Sequence, residues 1–308
     1  MPMTLIEAAK RNAADVKRAG VIEMFAMTAQ LLSVMPFEDI PGGSLTYNVE
    51  GSMPGVSFRG YNESYSESTG IINPATERLY IAGGDLDVDK ALIKTRGYEI
   101  RSSEETAKVK ALAMHISDRL ISGDSESNPR EFDGLRKRIA GTQLFAATGV
   151  AGANGPLSLE VLDAAIDLVD GPTALVMSKA MRRKLTKAAR GNVGGDITYD
   201  TDSWGRQVAK YNDLPIVIVD YNEKGQRVID FNEAGPAGGS TSQSIYVLSL
   251  GTNRVMGIQN GTIEVADLGE LQSAPVYRTR VEWLVGMAVM HGRAAARVWG
   301  ITNADVTE

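Results

Sequence analysis

The longest helical pattern in the chain covers residues 101–123. Apolar residues recur there at intervals of three and four and form one stripe, which consists of Val109, Leu112, Ala113, Ile116 and Leu120. Ser102 can cap the first turn, and Glu105 three residues later completes a capping box. We predict a helix over residues 102–122, about 30 Å long, that stops at a left-handed Gly123. The rest of the fold is expected to be arranged around this spine helix.

The first 35 residues carry two shorter helical patterns. Thr4 and Glu7 have the spacing of a capping box at the start of the first pattern, and the second runs over residues 21–32 and ends before Pro36. The net charge of residues 1–20 is positive. This segment is either a solvated helix face or an arm that contacts a neighbouring molecule or an enclosed polyanion.

Residues 41–89 have no helical pattern. Leu45, Tyr47 and Val49 alternate as in a strand, a polar and aromatic tip RGYNESYSESTG follows at residues 59–70, and apolar residues return at 71–72 and 79–81. The segment holds two arginines against seven acidic residues. A two-stranded ribbon with so little apolar material is marginal in water unless it lies on something. It is either a surface loop or hairpin on its own domain, or an extended hairpin that lies on another subunit.

Three aspartates alternate with aliphatic residues at the end of that segment. Asp85, Asp87 and Asp89 resemble the start of a calcium loop, but its sixth position is Lys90 rather than glycine and its twelfth is Arg96 rather than glutamate. A spacing of two places the carboxylates on one face of a strand. We therefore predict a solvated strand face and no metal site.

Residues 158–190 alternate between helix and strand patterns. Ser158 can cap one helix, TALVM follows as a short strand, and Ser178 can cap a second helix that ends at Arg190. The second helix carries six basic residues and no acidic ones: Lys179, Arg182, Arg183, Lys184, Lys187 and Arg190. These residues form either a solvated face or a contact with an acidic neighbour or with nucleic acid.

Further strands follow to the end of the chain. PIVIVD at 215–220 and RVIDF at 227–231 flank a turn and predict a hairpin, and 245–250 predicts a buried strand. In the stretch 276–290, Arg278, Arg280 and Glu282 share one face of a strand. That strand becomes apolar on both faces, which indicates that it passes into an interior.

Composition narrows the possible functions. The chain has 308 residues, no cysteine, two histidines and a net charge of −6, so disulfides, thiolate chemistry and cysteine-type zinc sites are excluded and net charge does not favour a nucleic-acid binder. His291 is predicted to be structural and His115 to be a packing residue. The sequence shows no signal peptide, membrane span, nucleophile motif, dinucleotide fingerprint or phosphate loop. We predict no catalytic residues and no cofactor.

The order of these parts resembles that of tailed-bacteriophage major capsid proteins with the Hong Kong ninety-seven-like fold, over nearly the whole chain. The resemblance rests on an N-terminal arm, a long hairpin with the tip RGYNESYSESTGI, the spine helix, EFDGL after it, PTALVMSKAMRRKL in the central region and the closing PVYRTRVEWLVGMAVMHGRAAARVWGI. It implies an α+β fold divided into an arm (1–37), an extended hairpin loop (38–85), a peripheral domain (86–145 and 256–308) and an axial domain (146–255).

The resemblance also implies a function and partners. We expect a non-enzymatic protein that assembles through hexamers and pentamers into an icosahedral virion shell around double-stranded DNA, in the host cytoplasm and without membrane contact. A separate scaffolding protein and a portal are expected, and DNA is held by non-specific contact. An encapsulin-like compartment with protein cargo and a cytosolic α/β enzyme with an unrecognised site remain as alternatives. The candidate subunit contacts are Arg59, Tyr61, Glu63, Glu67, Arg78, Arg278, Arg280 and Glu282.

Overall fold

The computed structural model describes residues 3–4, 29–52, 54–191, 197–201 and 207–307. One sheet contains the strands β1 (Met3–Thr4), β2 (Pro36–Asp39), β5 (Tyr80–Asp89), β12 (Val255–Gln259), β13 (Glu264–Glu270) and β14 (Val276–Val289). The long β14 pairs with β12 and β13, and over residues 276–285 it also pairs with β5. Trp283 is buried in this region and packs against Phe37, with the two ring centres 5.1 Å apart and the rings tilted by 45°. Gly257 allows this packing, because a Cβ there would lie 2.3 Å from the Phe37 ring.

The spine helix is confirmed, although its ends differ from the prediction. The helix α3 (Glu99–Ser122) follows α2 (Lys90–Arg96) after a single turn, so Ser102 lies inside α3 and Tyr98 precedes its first residue. Glu105 does not complete a capping box; it accepts a hydrogen bond from Thr279 on β14. Gly123 ends the helix with φ −54° rather than in the left-handed region. The glycine is needed for close approach instead, since a Cβ would lie 2.3 Å from the Phe132 carbonyl oxygen.

A seven-stranded sheet forms the second body of the fold. Its strands, in spatial order, are β6 (Leu144–Ala146), β15 (Ala295–Ile301), β11 (Gln243–Leu248), β7 (Ala174–Met177), β10 (Leu214–Ile218), β9 (Gln207–Tyr211) and β8 (Ile197–Thr201). Helices α5 (Leu159–Leu168) and α6 (Lys179–Arg190) share one hydrophobic cluster with Leu175 and Met177 of β7. The alternate residues Ala174 and Val176 belong to the cluster that contains the spine helix. Helices therefore cover both faces of this sheet.

The predicted hairpin over 215–231 is confirmed only at its turn. β10 pairs in parallel with β7 and antiparallel with β9, while residues 227–231 form no strand. An antiparallel bridge joins Tyr221 to Arg227, and the Val228 amide donates to the Asp220 carbonyl at 2.9 Å. Val228 and Ile229 are buried in the larger hydrophobic cluster instead of extending a strand. A short apolar run indicates that its residues are buried, but it does not indicate which strand they pair with.

The amino-terminal segment is described only in part. Thr4 lies in β1, which pairs antiparallel with β2, and the residues after it, on which the predicted capping box depends, lie outside the described residues. The helix α1 (Gln30–Val34) ends before Pro36, as predicted, and buries Leu31 and Leu32. Residues 5–28, which hold the rest of both predicted helices, lie outside the described residues.

A two-stranded ribbon projects from this body. Its strands β3 (Ser44–Ser52) and β4 (Ile71–Arg78) pair antiparallel with each other and with no other strand of the described chain. Residues 54–70 between them contain no helix or strand. The chain then returns to the body as β5, so the final ten residues of the segment 41–89 belong to the large sheet. There the predicted alternation of Asp85, Asp87 and Asp89 is confirmed on the exposed face.

Candidate assembly interface

The ribbon tip has an internal structure of its own. The Glu63 carboxylate accepts a hydrogen bond from the Gly60 amide at 2.9 Å, and the Arg59 guanidinium donates to the Glu63 carbonyl at 3.2 Å. Arg59 also lies 5.3 Å from the centre of the Tyr65 ring. Asn62 takes the left-handed conformation that such a tight turn requires. The sequence-predicted contacts Arg59 and Glu63 are therefore brought together, and part of their bonding capacity is used within the tip.

The tip also presents apolar side chains to solvent. Phe58 and Tyr61 are fully exposed, at 107% and 102% of their reference areas. Other large apolar side chains exposed in the described part of the ribbon are Val56, Tyr65, Ile71 and Ile72. Several exposed large apolar residues in one segment are typical of an interaction site. Tyr61 was a candidate from the sequence; Phe58 was missed, although its position in a segment without a core was the available signal.

The root of the ribbon is attached by a small apolar cluster and one ion pair. Leu45, Tyr47 and Leu79 pack against a group of buried body residues that consists of Ile40, Met256, Ile258 and Ala288. Arg138 holds the Glu77 carboxylate with two bonds, of 2.5 and 2.7 Å. The Tyr47 hydroxyl donates to the Val289 carbonyl of β14 at 3.1 Å, and burial raises the pKa of Tyr47. Arg78, a predicted contact, is exposed beside this root.

The charged strand face on β14 is paired within the subunit. Arg278 makes bonds of 2.7 and 2.6 Å to Asp87, and Arg280 makes bonds of 2.7 and 3.0 Å to Asp85. Hydrogen bonds from the arginines lower the pKa of both aspartates. These bidentate pairs link β14 to β5 on its exposed face. Glu282 lies opposite Gly83 in the same register and stays exposed.

The basic helix α6 is partly neutralised by its own subunit. Lys179 pairs with Asp220, Lys187 lies 2.7 Å from Asp305, and Lys184 donates to the Ala304 carbonyl at 2.7 Å. Burial lowers the pKa of Lys184. The remaining three basic residues are exposed and form no ion pair within the described part of the chain: Arg182, Arg183 and Arg190.

A buried ionic network joins three distant segments. Glu233 accepts hydrogen bonds from Arg297 at 2.6 Å and from Ser244 at 2.5 Å, and Arg136 lies 2.7 Å from the same carboxylate. Glu233 and Arg297 are almost fully buried. Tyr246 packs under the Arg297 guanidinium, and burial raises the pKa of its hydroxyl. No sequence pattern indicated this network, because its members are far apart along the chain.

Each of the two histidines places Nδ1 near a carboxylate. His115 Nδ1 is 3.0 Å from Glu223 at the edge of a groove of about 360 Å³ between the spine helix and β5. Its side chain is half-buried, so the predicted packing residue also makes a polar contact. His291 Nδ1 accepts a hydrogen bond from the Arg293 amide and lies 4.0 Å from Asp170. Across the described ranges, no cluster of three or more acidic or histidine side chains could hold a metal ion. Nor does any helix in these ranges combine the length and apolarity needed to span a membrane.

Comparison with known proteins gives one family match. The family model described as "Major capsid protein GP7" matches residues 13–156, just under half of the chain. No curated protein sequence matches the chain. The family match bears out the predicted resemblance to tailed-bacteriophage major capsid proteins.

Solved structures extend the likeness to nearly the whole chain. A solved structure from Mycobacterium phage Cain is 13% identical, with a TM-score of 0.61 and 91% of each chain covered. The capsid of a native GTA particle is 16% identical, with a TM-score of 0.61, 88% of this chain and 90% of that chain. The SrpI encapsulin of Synechococcus elongatus PCC 7942 is 16% identical, with a TM-score of 0.64, 91% of this chain and 89% of that chain. The predicted α+β capsid fold is thereby confirmed.

Proposed function

We propose that this chain, a major capsid protein of the tailed-bacteriophage type by fold and family match, self-assembles into an icosahedral shell around double-stranded DNA. The observation that carries the proposal is the ribbon tip at residues 54–70, which is exposed along its length and presents Phe58 and Tyr61 to solvent. An isolated subunit gains nothing from these side chains. A neighbouring subunit that covers them would bury the apolar area that the ribbon lacks.

The ribbon favours ring assembly. A projecting hairpin and the surface that receives it are different parts of one chain, so their contact is heterologous, and heterologous contacts close into rings when the rotation between subunits allows it. Rings of six and five subunits would then tile a closed shell. Within each subunit, we assign residues 86–145 and 256–308 to the peripheral domain and 146–255 to the axial domain.

The charged surfaces have separate roles in this proposal. The bidentate pairs of Arg278 and Arg280 hold β5 on β14. Glu282, which is exposed and lies 3.8 Å from Arg280, is the acidic subunit contact of that face in the proposal. On α6, Arg182, Arg183 and Arg190 are free to bind an anion, either an acidic neighbour or packaged DNA without sequence preference. The chain has no enzymatic role in the proposal, and a separate scaffolding protein and a portal act with it in the host cytoplasm.

An encapsulin-like compartment is the second candidate, favoured by the similarity to the SrpI encapsulin fold. The two functions differ in what the shell encloses. Purified particles from the natural source should contain double-stranded DNA if the first proposal holds. A protein cargo without nucleic acid would favour the second.

The central experiment removes the ribbon tip. The purified wild-type chain is expected to form closed particles visible by negative-stain electron microscopy, whereas a variant without residues 52–68 should remain folded and form none. Sedimentation velocity and circular dichroism measure assembly and folding separately. A tip-deleted chain that sediments as normal shells would refute the role of the ribbon. A wild-type chain that stays a monomer or dimer at high concentration, also with the proposed scaffolding protein present, would refute the shell.

A further inference from the structure

The helix α4 (Leu135–Arg138) lies where three parts of the subunit meet. Its sequence LRKR presents three consecutive cations, and each contacts a different segment. Arg136 reaches Glu233 in the buried network, and Lys137 pairs with Asp124 at 2.5 Å just after the spine helix. Arg138 reaches Glu77 on the ribbon. This single turn of helix therefore connects the ribbon to the central core and to the end of the spine.

The contact between Arg138 and Glu77 has the geometry of a strong pair. Two guanidinium nitrogens face two carboxylate oxygens at 2.5 and 2.7 Å, and the third nitrogen donates to the Asp133 carbonyl at 2.7 Å. Only 16% and 18% of the two side chains are exposed. Each of the three guanidinium nitrogens donates a hydrogen bond, so Arg138 is held both by Glu77 of the ribbon and by the Asp133 carbonyl of the body. The Tyr47 hydroxyl lies 3.4 Å from the same carboxylate, on the partner strand of the ribbon.

The ribbon has few other means of holding its direction. β3 and β4 pair only with each other among the described strands, so no ladder of backbone hydrogen bonds ties them to the body. The apolar contacts of Leu45, Tyr47 and Leu79 are not directional, and the Tyr47 hydroxyl adds a single neutral hydrogen bond to the Val289 carbonyl of β14. Near the root, an Asn260 side-chain amide donates to the Gly42 carbonyl at 3.0 Å. Within the part of the chain that the structure describes, Glu77 and Arg138 form the one charge-assisted, bidentate contact between the ribbon strands and the body.

We propose that Glu77 and Arg138 are positioning residues that set the angle at which the ribbon leaves the subunit, and hence where its tip meets the next subunit. The inference rests on the proposed shell function. Strand β4 begins at the tip and ends at this pair, so a small rotation at residue 77 is amplified over the length of the ribbon. Because ring closure requires the same angle in every subunit, a loosely held root lowers the fraction of subunits in the assembling geometry.

The test compares ribbon orientation and assembly in the full chain. Since the chain has no native cysteine, Ser66→Cys in the tip and Ser103→Cys on the spine helix allow two spin labels to be placed, and pulsed electron resonance then measures their distance distribution below the assembly concentration. Glu77→Arg and, as a milder change, Glu77→Gln should broaden this distribution. The same variants should raise the lowest concentration at which particles form by about tenfold or more.

Two further variants separate positioning from a general loss of stability. Asp124→Asn removes an ion pair from the neighbouring residue Lys137 without touching the ribbon, and it should leave both readouts at their wild-type values. Glu77→Arg combined with Arg138→Glu restores an attractive pair and should lie closer to wild type than either single reversal.

The outcomes are distinguishable. A narrow, wild-type distance distribution in both Glu77 variants, together with an unchanged assembly concentration, would overturn the positioning role. If the wild-type chain itself forms no particles, the shell function fails, and the distance measurement still decides whether the pair orients the ribbon. Thermal unfolding of each variant identifies any that fail to fold. Should Glu77→Arg be among them, the milder Glu77→Gln decides between the two results.

Discussion

The aromatic side chains of the ribbon tip should act as anchors for the next subunit. Phe58 and Tyr61 are fully exposed in the isolated subunit, so replacing both with serine changes little in the unassembled chain. Surface substitutions of this kind usually alter the unfolding free energy by no more than about 0.5 kcal/mol. Any larger effect must therefore arise in the assembled particle.

The size of that effect follows from the area available. A buried aromatic side chain removes about 150–250 Å² from water, which at about 25 cal/mol per Å² is a gross gain of about 4–6 kcal/mol. Ordering and desolvation reduce the gain, and truncation of an interface anchor commonly costs about 2 kcal/mol or more. A loss of about 2 kcal/mol at each contact corresponds to about a 30-fold weakening.

The assay is light scattering as a function of protein concentration. The double variant Phe58→Ser, Tyr61→Ser should need at least about 30-fold more protein to form shells, with a melting temperature of the unassembled subunit equal to wild type. Leu92→Ser is the matched control, because it removes a partly exposed apolar side chain from α2 in the body. Assembly of the double variant at the wild-type concentration would show that the tip is not buried in the shell, and the anchor argument would fail.

Three more predictions concern the subunit and the mature particle. Glu233→Gln leaves Arg136 and Arg297 without their shared carboxylate and should cost about 3–5 kcal/mol in urea unfolding, whereas no loss beyond that of the exposed-pair variant Glu270→Gln would contradict a buried network. A hydrogen bond from Lys137 lowers the pKa of Asp124 to about 2, below its unfolded value of about 4. The pair therefore stabilises the fold fully above about pH 4, and the stability difference between wild type and Asp124→Asn should shrink as pH falls below about 4 and vanish below about 2. Thermal unfolding of the tip-deleted subunit measures this difference, and one that is undiminished at about pH 2 would contradict the assignment. Finally, residues 37–89 contain no lysine. A covalent cross-link from the ribbon to a side-chain amide of another subunit would need a neutral amine as the attacking group, and an arginine cannot replace it because it stays protonated. Mature particles boiled in detergent should run as one band near the monomer mass, and a ladder of multiples would refute this.

Local sequence patterns determined which elements form. The apolar stripe of the spine helix and the alternation of Asp85, Asp87 and Asp89 each report one buried face, and the structure has both where they were expected. The exposed ribbon was also predictable, because a segment with alternating polarity and few large aliphatic residues has nothing to bury. These features depend only on the period with which side chains face one side of a helix or strand. Residues that are neighbours in the sequence determine that period without any distant partner.

Pairing across the chain was decided only by the tertiary structure. The run at 215–220 looked like one arm of a hairpin, yet β10 pairs with β7 because the central strand of the sheet needs a neighbour on each edge. Arg278 and Arg280 looked free for a neighbouring subunit, but their register opposite Asp87 and Asp85 pairs them within their own. In both cases the partner depends on strand order and register, which the alternation of one strand does not encode.

The ionic contacts show most clearly that local sequence patterns do not identify distant partners. Glu77 and Arg138 are 61 residues apart, and Glu233 and Arg297 are 64 apart, so no local spacing connects them. Each residue alone has the sequence signature of an ordinary surface charge. A carboxylate that loses its water must be matched by a cation or by hydrogen bonds, and the cost of leaving it unmatched selects the arrangement in which these distant residues meet. The sequence supplies the charges, and the packing of the two sheets and α4 determines which of them are brought together.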